Sequence, residues 1–283
     1  MFVQQSIVKA VLCAAILLGF QMLTGCQTAL TETYGGGHRK ADTPPSKEVK
    51  QEMTATKARA DKDMAAVLTE FEDLKPKPII SLSAEEARAQ PTPADAVTAL
   101  LQERKKSTVP LSIGKTENRT IPGAGGDIPI RIYTPQGHGP FPVIVYFHGG
   151  GWVIATIDTY DSSARALAKA ADAIVVSVEY RKAPEHKFPA AHEDAYAAYQ
   201  WVLRNADGFG GDPSMVAVAG ESAGGNLAAA VCLMARARGE VLPVHQALIY
   251  PVAGYDFNTP SYRENAQAKP LDKSMMMWFF EKY

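Results

Sequence analysis

The chain has 283 residues, of which 46% are hydrophobic and 21% charged, proportions that suit a globular protein with one large domain and extensions. Twenty-nine basic against thirty acidic residues leave a formal charge of −1. No basic block is interleaved with aromatics, so nucleic acid is not an expected partner. Six histidines are scattered and none is paired at zinc-binding spacing, so no metal and no cofactor is expected.

In chain order, Lys9 precedes an apolar run from Ala10 to Leu23 broken only by Gln21, followed by Leu23-Thr24-Gly25-Cys26. A charged start, an apolar stretch and small residues before a cut describe an export signal. The Leu-Thr-Gly-Cys ending resembles the lipobox of bacterial lipoproteins, which implies lipidation of Cys26. Residues 1–26 then form a lipoprotein signal peptide, and the mature protein is lipid-anchored to the cell envelope, at the outer membrane if the source is Gram-negative. A signal anchor retained as one membrane helix is the alternative, because the run is nearly long enough to span. Residues 27–59 are polar, with Gly35-Gly36-Gly37 and Pro44-Pro45, and read as a flexible linker. Cys232 is then the one remaining thiol, so no intrachain disulfide is expected.

From Ala60 the pattern turns helical. Met64, Val67, Leu68, Phe71 and Leu74 share one helix face, and Pro76 and Pro78 end it. Ser83-Ala84-Glu85-Glu86 reads as a capped helix start, and Ala94–Lys105 as a further short helix. After Lys115 strands and helices alternate. Strands are expected at Thr116–Ile121, Ile128–Tyr133, Pro142–Phe147, Ala173–Val178, Met215–Ala219 and Gln246–Tyr250. Helices are expected at Ser162–Ala171, Ala190–Arg204 and Ala223–Ala237. The order implies an α/β fold, a mostly parallel sheet with helices on both faces.

Two motifs carry chemistry. Gly220-Glu221-Ser222-Ala223-Gly224 matches the G-x-S-x-G nucleophile elbow, in which a sharp strand-to-helix turn presents a serine hydroxyl at a helix N-terminus. Alone, the pattern arises by chance in roughly one chain in ten of this length. Its context is more specific: a strand, Val216–Ala219, precedes it and an apolar helix follows. His148-Gly149-Gly150-Gly151 follows the Pro142–Phe147 strand, where glycines free of Cβ let backbone amides hold an oxyanion. A phosphate loop is excluded there, because neither the Lys-Ser/Thr of a P-loop nor a G-x-G-x-x-G spacing is present.

Together HGGGW at 148–152, EYRKAPEHKFPAAHEDA at 179–195, GGDPS at 210–214 and GESAGGNLA at 220–228 resemble the hormone-sensitive-lipase-like bacterial esterases, the α/β-hydrolase-3 group. The resemblance implies an α/β-hydrolase fold and hydrolysis of short-to-medium acyl esters through an acyl-enzyme. It implies Ser222 as catalytic nucleophile, and the amides of Gly150, Gly151 and Ala223 as the oxyanion hole. Residues 60–112 would be a helical N-terminal cap over the acyl site and residues 113–283 the hydrolase core. The segment through Tyr262 and Trp278 would begin a second cap portion. Glu221 stands where the family more often has aspartate and reads as an orienting residue. His148, His186 and His192 read as structural, and Trp152 as packing under the cap or walling the acyl pocket.

The fold places its carboxylate and histidine after the serine in chain order. Family members carry them in D-P-L-like and H-G-F-like motifs that fall beyond Tyr283, while His245 precedes a strand and neither Asp256 nor Asp272 has a histidine to orient. The expectation is therefore an incomplete core lacking its C-terminal strands, with the catalytic acid and base absent. Such a core has an apolar strand edge at 246–250, a Met275–Phe280 segment short of packing surface, low stability and little activity. The alternative is a non-catalytic relative that binds small esters or a partner, or a decayed gene product. Amide hydrolysis would use the same residues.

Overall fold

A computed structural model describes residues 60–283. The expected signal peptide, Cys26 and the linker lie outside the described residues. Three helices come first. In α1 (Lys62–Asp73) the Asp61 carboxylate accepts from the amides of Asp63 and Met64. The capping box of Ser83 and Glu86 opens α2 (Ala84–Arg88). Thr92 and Asp95 form a second one for α3 (Pro93–Glu103), where Pro93 sits in the first turn and needs no N–H partner. Helices α1 and α3 lie against each other.

Six strands form one sheet: β1 (Lys115–Gly123), β2 (Gly126–Thr134), β3 (Phe141–Phe147), β4 (Ile174–Val178), β5 (Gly211–Glu221) and β6 (Gln246–Ile249). Their spatial order is β1-β2-β4-β3-β5-β6. Strands β1 and β2 make an antiparallel hairpin paired from Lys115↔Thr134 to Gly123↔Gly126, longer at both ends than its apolar pattern suggests. Strand β2 is antiparallel to β4, and β4, β3, β5 and β6 run parallel. Parallel neighbours need crossovers, and these are α4 (Asp161–Ala171), α5 (Ala190–Asn205) and α6 (Ala223–Ala237). Strand β5 begins four residues before the apolar run because Gly211 pairs with Phe141. Pro213 falls where the register shifts before Val216 meets Val143.

Side-chain alternation sorts β3 between two cores. Val143, Val145 and Phe147 pack with Tyr199, Val202, Leu227 and Val231 of α5 and α6. Ile144 and Tyr146 face the other way, toward Ala164, Leu167, Ala168 and Ala171 of α4. Every residue of β4 is buried, as suits a strand covered on both faces.

Beyond β6 come α7 (Pro260–Glu264) and α8 (Lys273–Lys282). The expected loss of packing for Met275–Phe280 holds only in part. Trp278 and Phe279 are buried against Ile79, Leu82 and Val153, and Met277 is exposed. Among the described residues no helix is long and apolar enough to cross a membrane.

Candidate active site

Ser222 sits between the end of β5 and the start of α6 with φ 53° and ψ −119°. Such a backbone costs on the order of 1–3 kcal/mol and persists only where neighbours over-determine it. Here its N–H donates to the Ile249 carbonyl at 3.0 Å, and its own carbonyl accepts from Val252 and Asn226, each at 3.1 Å. The two glycines of the motif have a steric cause. A Cβ on Gly220 would lie 2.2 Å from the Gly224 carbonyl oxygen, and one on Gly224 would lie 2.0 Å from that of Phe147. The first turn of α6 therefore presses directly on the end of β3, where the glycine loop begins.

That loop turns through Gly150 (φ 107°) and Gly151 (φ 57°), and the Gly150 carbonyl accepts from Val153 and Ile154. A Cβ on Gly151 would meet the Phe279 ring at 2.2 Å. Among the described residues the N–H groups of Gly150, Gly151 and Ala223 have no acceptor. Unsatisfied amides at a glycine loop and a helix N-terminus are the donors from which an oxyanion hole is built.

His148 is fully buried, stacked on Tyr180 at 4.5 Å, with Nδ1 donating to the Gly149 carbonyl at 2.7 Å. Burial pulls its pKa down to about 4, so it is neutral and shapes the loop. His192 lies on α5, and its Nε2 donates to the Asn226 side-chain Oδ1 at 3.0 Å. The Asn226 amide in turn donates to the Val252 carbonyl at 2.9 Å, which ties α5 to the elbow. His186 and His138 are exposed, and His245 precedes β6. Among the described residues no histidine or carboxylate hydrogen-bonds the Ser222 hydroxyl. Asp272 caps α8 and Asp256 accepts from the Asn258 amide, so both carboxylates are spent on local turns.

Glu221 is buried, and its carboxylate accepts from Tyr146 at 2.9 Å and from Tyr250. Burial raises its pKa against the pull of the Tyr250, Tyr146 and Tyr160 hydroxyls. Trp152 is packed: it is 2% exposed and stacks on Tyr283 at 4.1 Å, so the packing alternative describes it. Sequence reasoning missed Arg88, whose guanidinium donates to the Val153 and Ala183 carbonyls and to Glu185, all at 2.7–2.8 Å. It also missed Asn226, whose only sequence signal is its place one turn after the serine.

Comparison with known proteins follows the same lines. A family described by the alpha/beta hydrolase fold matches residues 144–283. Carboxylesterase NlhH of Mycobacterium tuberculosis is 46% identical over 198 residues, 68% of this chain and 62% of that protein. The chain thus spans less than two thirds of that relative's length. The esterase of Pyrobaculum calidifontis is 40% identical with a TM-score of 0.66, over 75% of this chain and 68% of that one. EstE1, a thermostable carboxylesterase from a metagenomic library, is 42% identical with a TM-score of 0.65, over 72% of this chain and 68% of that one. By its motifs, its sheet order and these likenesses, the chain belongs to the α/β-hydrolase-fold family.

Proposed function

We propose that this protein is a carboxylic ester hydrolase in which Ser222 attacks short-to-medium acyl esters. The Ser222 oxygen bonds to the ester carbonyl carbon while its proton passes to a general base. The amides of Gly150, Gly151 and Ala223 hold the resulting oxyanion. The alcohol leaves with that proton, and water then releases the acid from the acyl-enzyme. The observation that supports this most is the direct contact of elbow and glycine loop, with all three amides free of acceptors. The activity named for the mycobacterial relative, a carboxylesterase, favours esters over amides. No cofactor enters this scheme.

The reading assigns the general base and its carboxylate to residues other than those described. Residues 60–112 serve as a helical cap over the acyl group. The protein is exported and lipid-anchored through Cys26, a reading supported by the sequence alone.

A fluorophosphonate reagent tests the nucleophile in native protein purified from the cells that make it. The expected result is one adduct, on Ser222, absent from a Ser222→Ala variant. Native protein that takes up no reagent would instead be the non-catalytic, ester-binding relative. Detergent-phase partitioning that is lost in Cys26→Ala tests the anchor, and an aqueous native protein would refute it.

A further inference from the structure

We propose that Glu221 is a positioning residue whose carboxyl, gripped by tyrosines from three elements, locks the elbow to the glycine loop. Its catalytic meaning rests on the esterase reading above. Tyr146 comes from β3, Tyr250 follows β6, and Tyr160 stands at the N-terminus of α4. The Tyr160 hydroxyl faces the same carboxyl and the Gly149 backbone. A Cβ on Gly149 would lie 2.7 Å from that hydroxyl, 3.4 Å from the Glu221 carbonyl oxygen and 3.5 Å from Glu221 Cγ. The glycine thus admits the Tyr160 hydroxyl between the Glu221 carboxyl and the loop that presents the Gly150 and Gly151 amides, with the Glu221 side chain in van der Waals reach of the same spot.

Other roles fit less well. No cation pairs with Glu221 among the described residues, so it is not half of a salt bridge. An apolar side chain would fill the same space without the cost of burying a carboxyl. What the carboxyl adds is direction, because several acceptor sites fix several hydroxyls at once. Two strained residues flank this grip, Ser222 (φ 53°) and Tyr250 (φ 35°). One buried group thereby holds both against relaxation. Ser222 and the loop amides have to keep their mutual placement to within a fraction of an ångström for attack and oxyanion capture to coincide.

The test compares native protein with Glu221→Gln, Glu221→Asp and Tyr250→Phe. Amide hydrogen exchange is read over residues 147–154 and 220–226, followed by the rate of fluorophosphonate labelling. Glu221→Gln should speed exchange in both segments by ~10-fold, with β4 and α5 unchanged. Tyr250→Phe should do the same to a smaller extent, and Glu221→Asp should restore part of the protection. Labelling of Ser222 should slow by on the order of 10²-fold in Glu221→Gln with reagent affinity unchanged. Exchange that stays at the native rate in 147–154 overturns the proposal, because the carboxyl then does not reach across to the loop. If the glutamate variants do not fold, Tyr250→Phe and Tyr146→Phe carry the same comparison. Native protein that takes no phosphonate sinks the nucleophile reading alone, and the exchange data still decide the positioning role.

Discussion

Two neighbouring parts of the sheet are built on different terms. Where β3 and β5 end, glycines 220 and 224 bring backbones into contact, Gly149 makes room for the Tyr160 hydroxyl, and Glu221 and His148 are enclosed by tyrosine rings. One strand away, β6, the last strand among the described residues, has four residues and leaves Leu248 37% exposed, and Val241, Val244 and Leu233 near it in sequence are exposed as well. Yet β6 is fastened at its C-terminal end, where Ile249, Tyr250 and Val252 bond to the elbow. Burial and positional definition therefore part company: an edge strand can be poorly covered and still hold a strained turn in place.

Breaking the enclosed corner should cost most. Gly224→Ala puts a methyl into the Phe147 carbonyl, and chemical denaturation should show a loss of about 3 kcal/mol or failure to fold, the upper range for overpacking. A pH series tests the same corner more gently. His148 has its pKa lowered from an ordinary 6.5 to about 4, so between those values the unfolded chain takes up a proton that the folded one refuses. Stability should be complete above about pH 6.5 and fall as the pH drops toward 4, by on the order of 3 kcal/mol. Urea midpoints that stay flat across that window would contradict the buried neutral ring. His192, buried on α5 and also lowered by burial, acts in the same direction.

Arg88 offers a smaller cut away from the elbow. Arg88→Ala leaves the Val153 and Ala183 carbonyls without their donor and should cost about 2 kcal/mol, with the partly exposed pair to Glu185 adding little. An unaltered unfolding midpoint would mean that residues 79–88 are held by apolar packing alone. Leu248→Lys sharpens the contrast from the other side. It should leave stability within about 0.5 kcal/mol while reducing concentration-dependent association in sedimentation, because a charged edge resists strand addition. Association that persists unchanged would acquit the β6 edge.

Helix α6 spans the residues its pattern indicates, Ala223–Ala237, because a local motif starts it and a continuous apolar face sustains it. The elbow and the glycine loop were legible for the same reason: their steric demands fall on adjacent residues. The tyrosine grip on Glu221 was not, since Tyr146, Tyr160 and Tyr250 are far apart in sequence and only the sheet order brings them together. Arg88 was equally silent, as two of its four hydrogen bonds run to backbone carbonyls, which no residue type advertises, and the other two to Glu185, 97 residues away. The burial of Trp278 and Phe279 was underestimated because their cover comes from the N-terminal segment, with the Trp278 indole donating to the Leu82 carbonyl at 3.3 Å.

Residues 102–112 are exposed throughout and include Arg104, Lys105 and Lys106, between α3 and the hairpin. Among the described residues a trypsin-like protease should nick the chain there first. Because Arg88 and the Trp278 indole fasten the upstream piece to the core, the two fragments should stay together through gel filtration and separate only under denaturing electrophoresis.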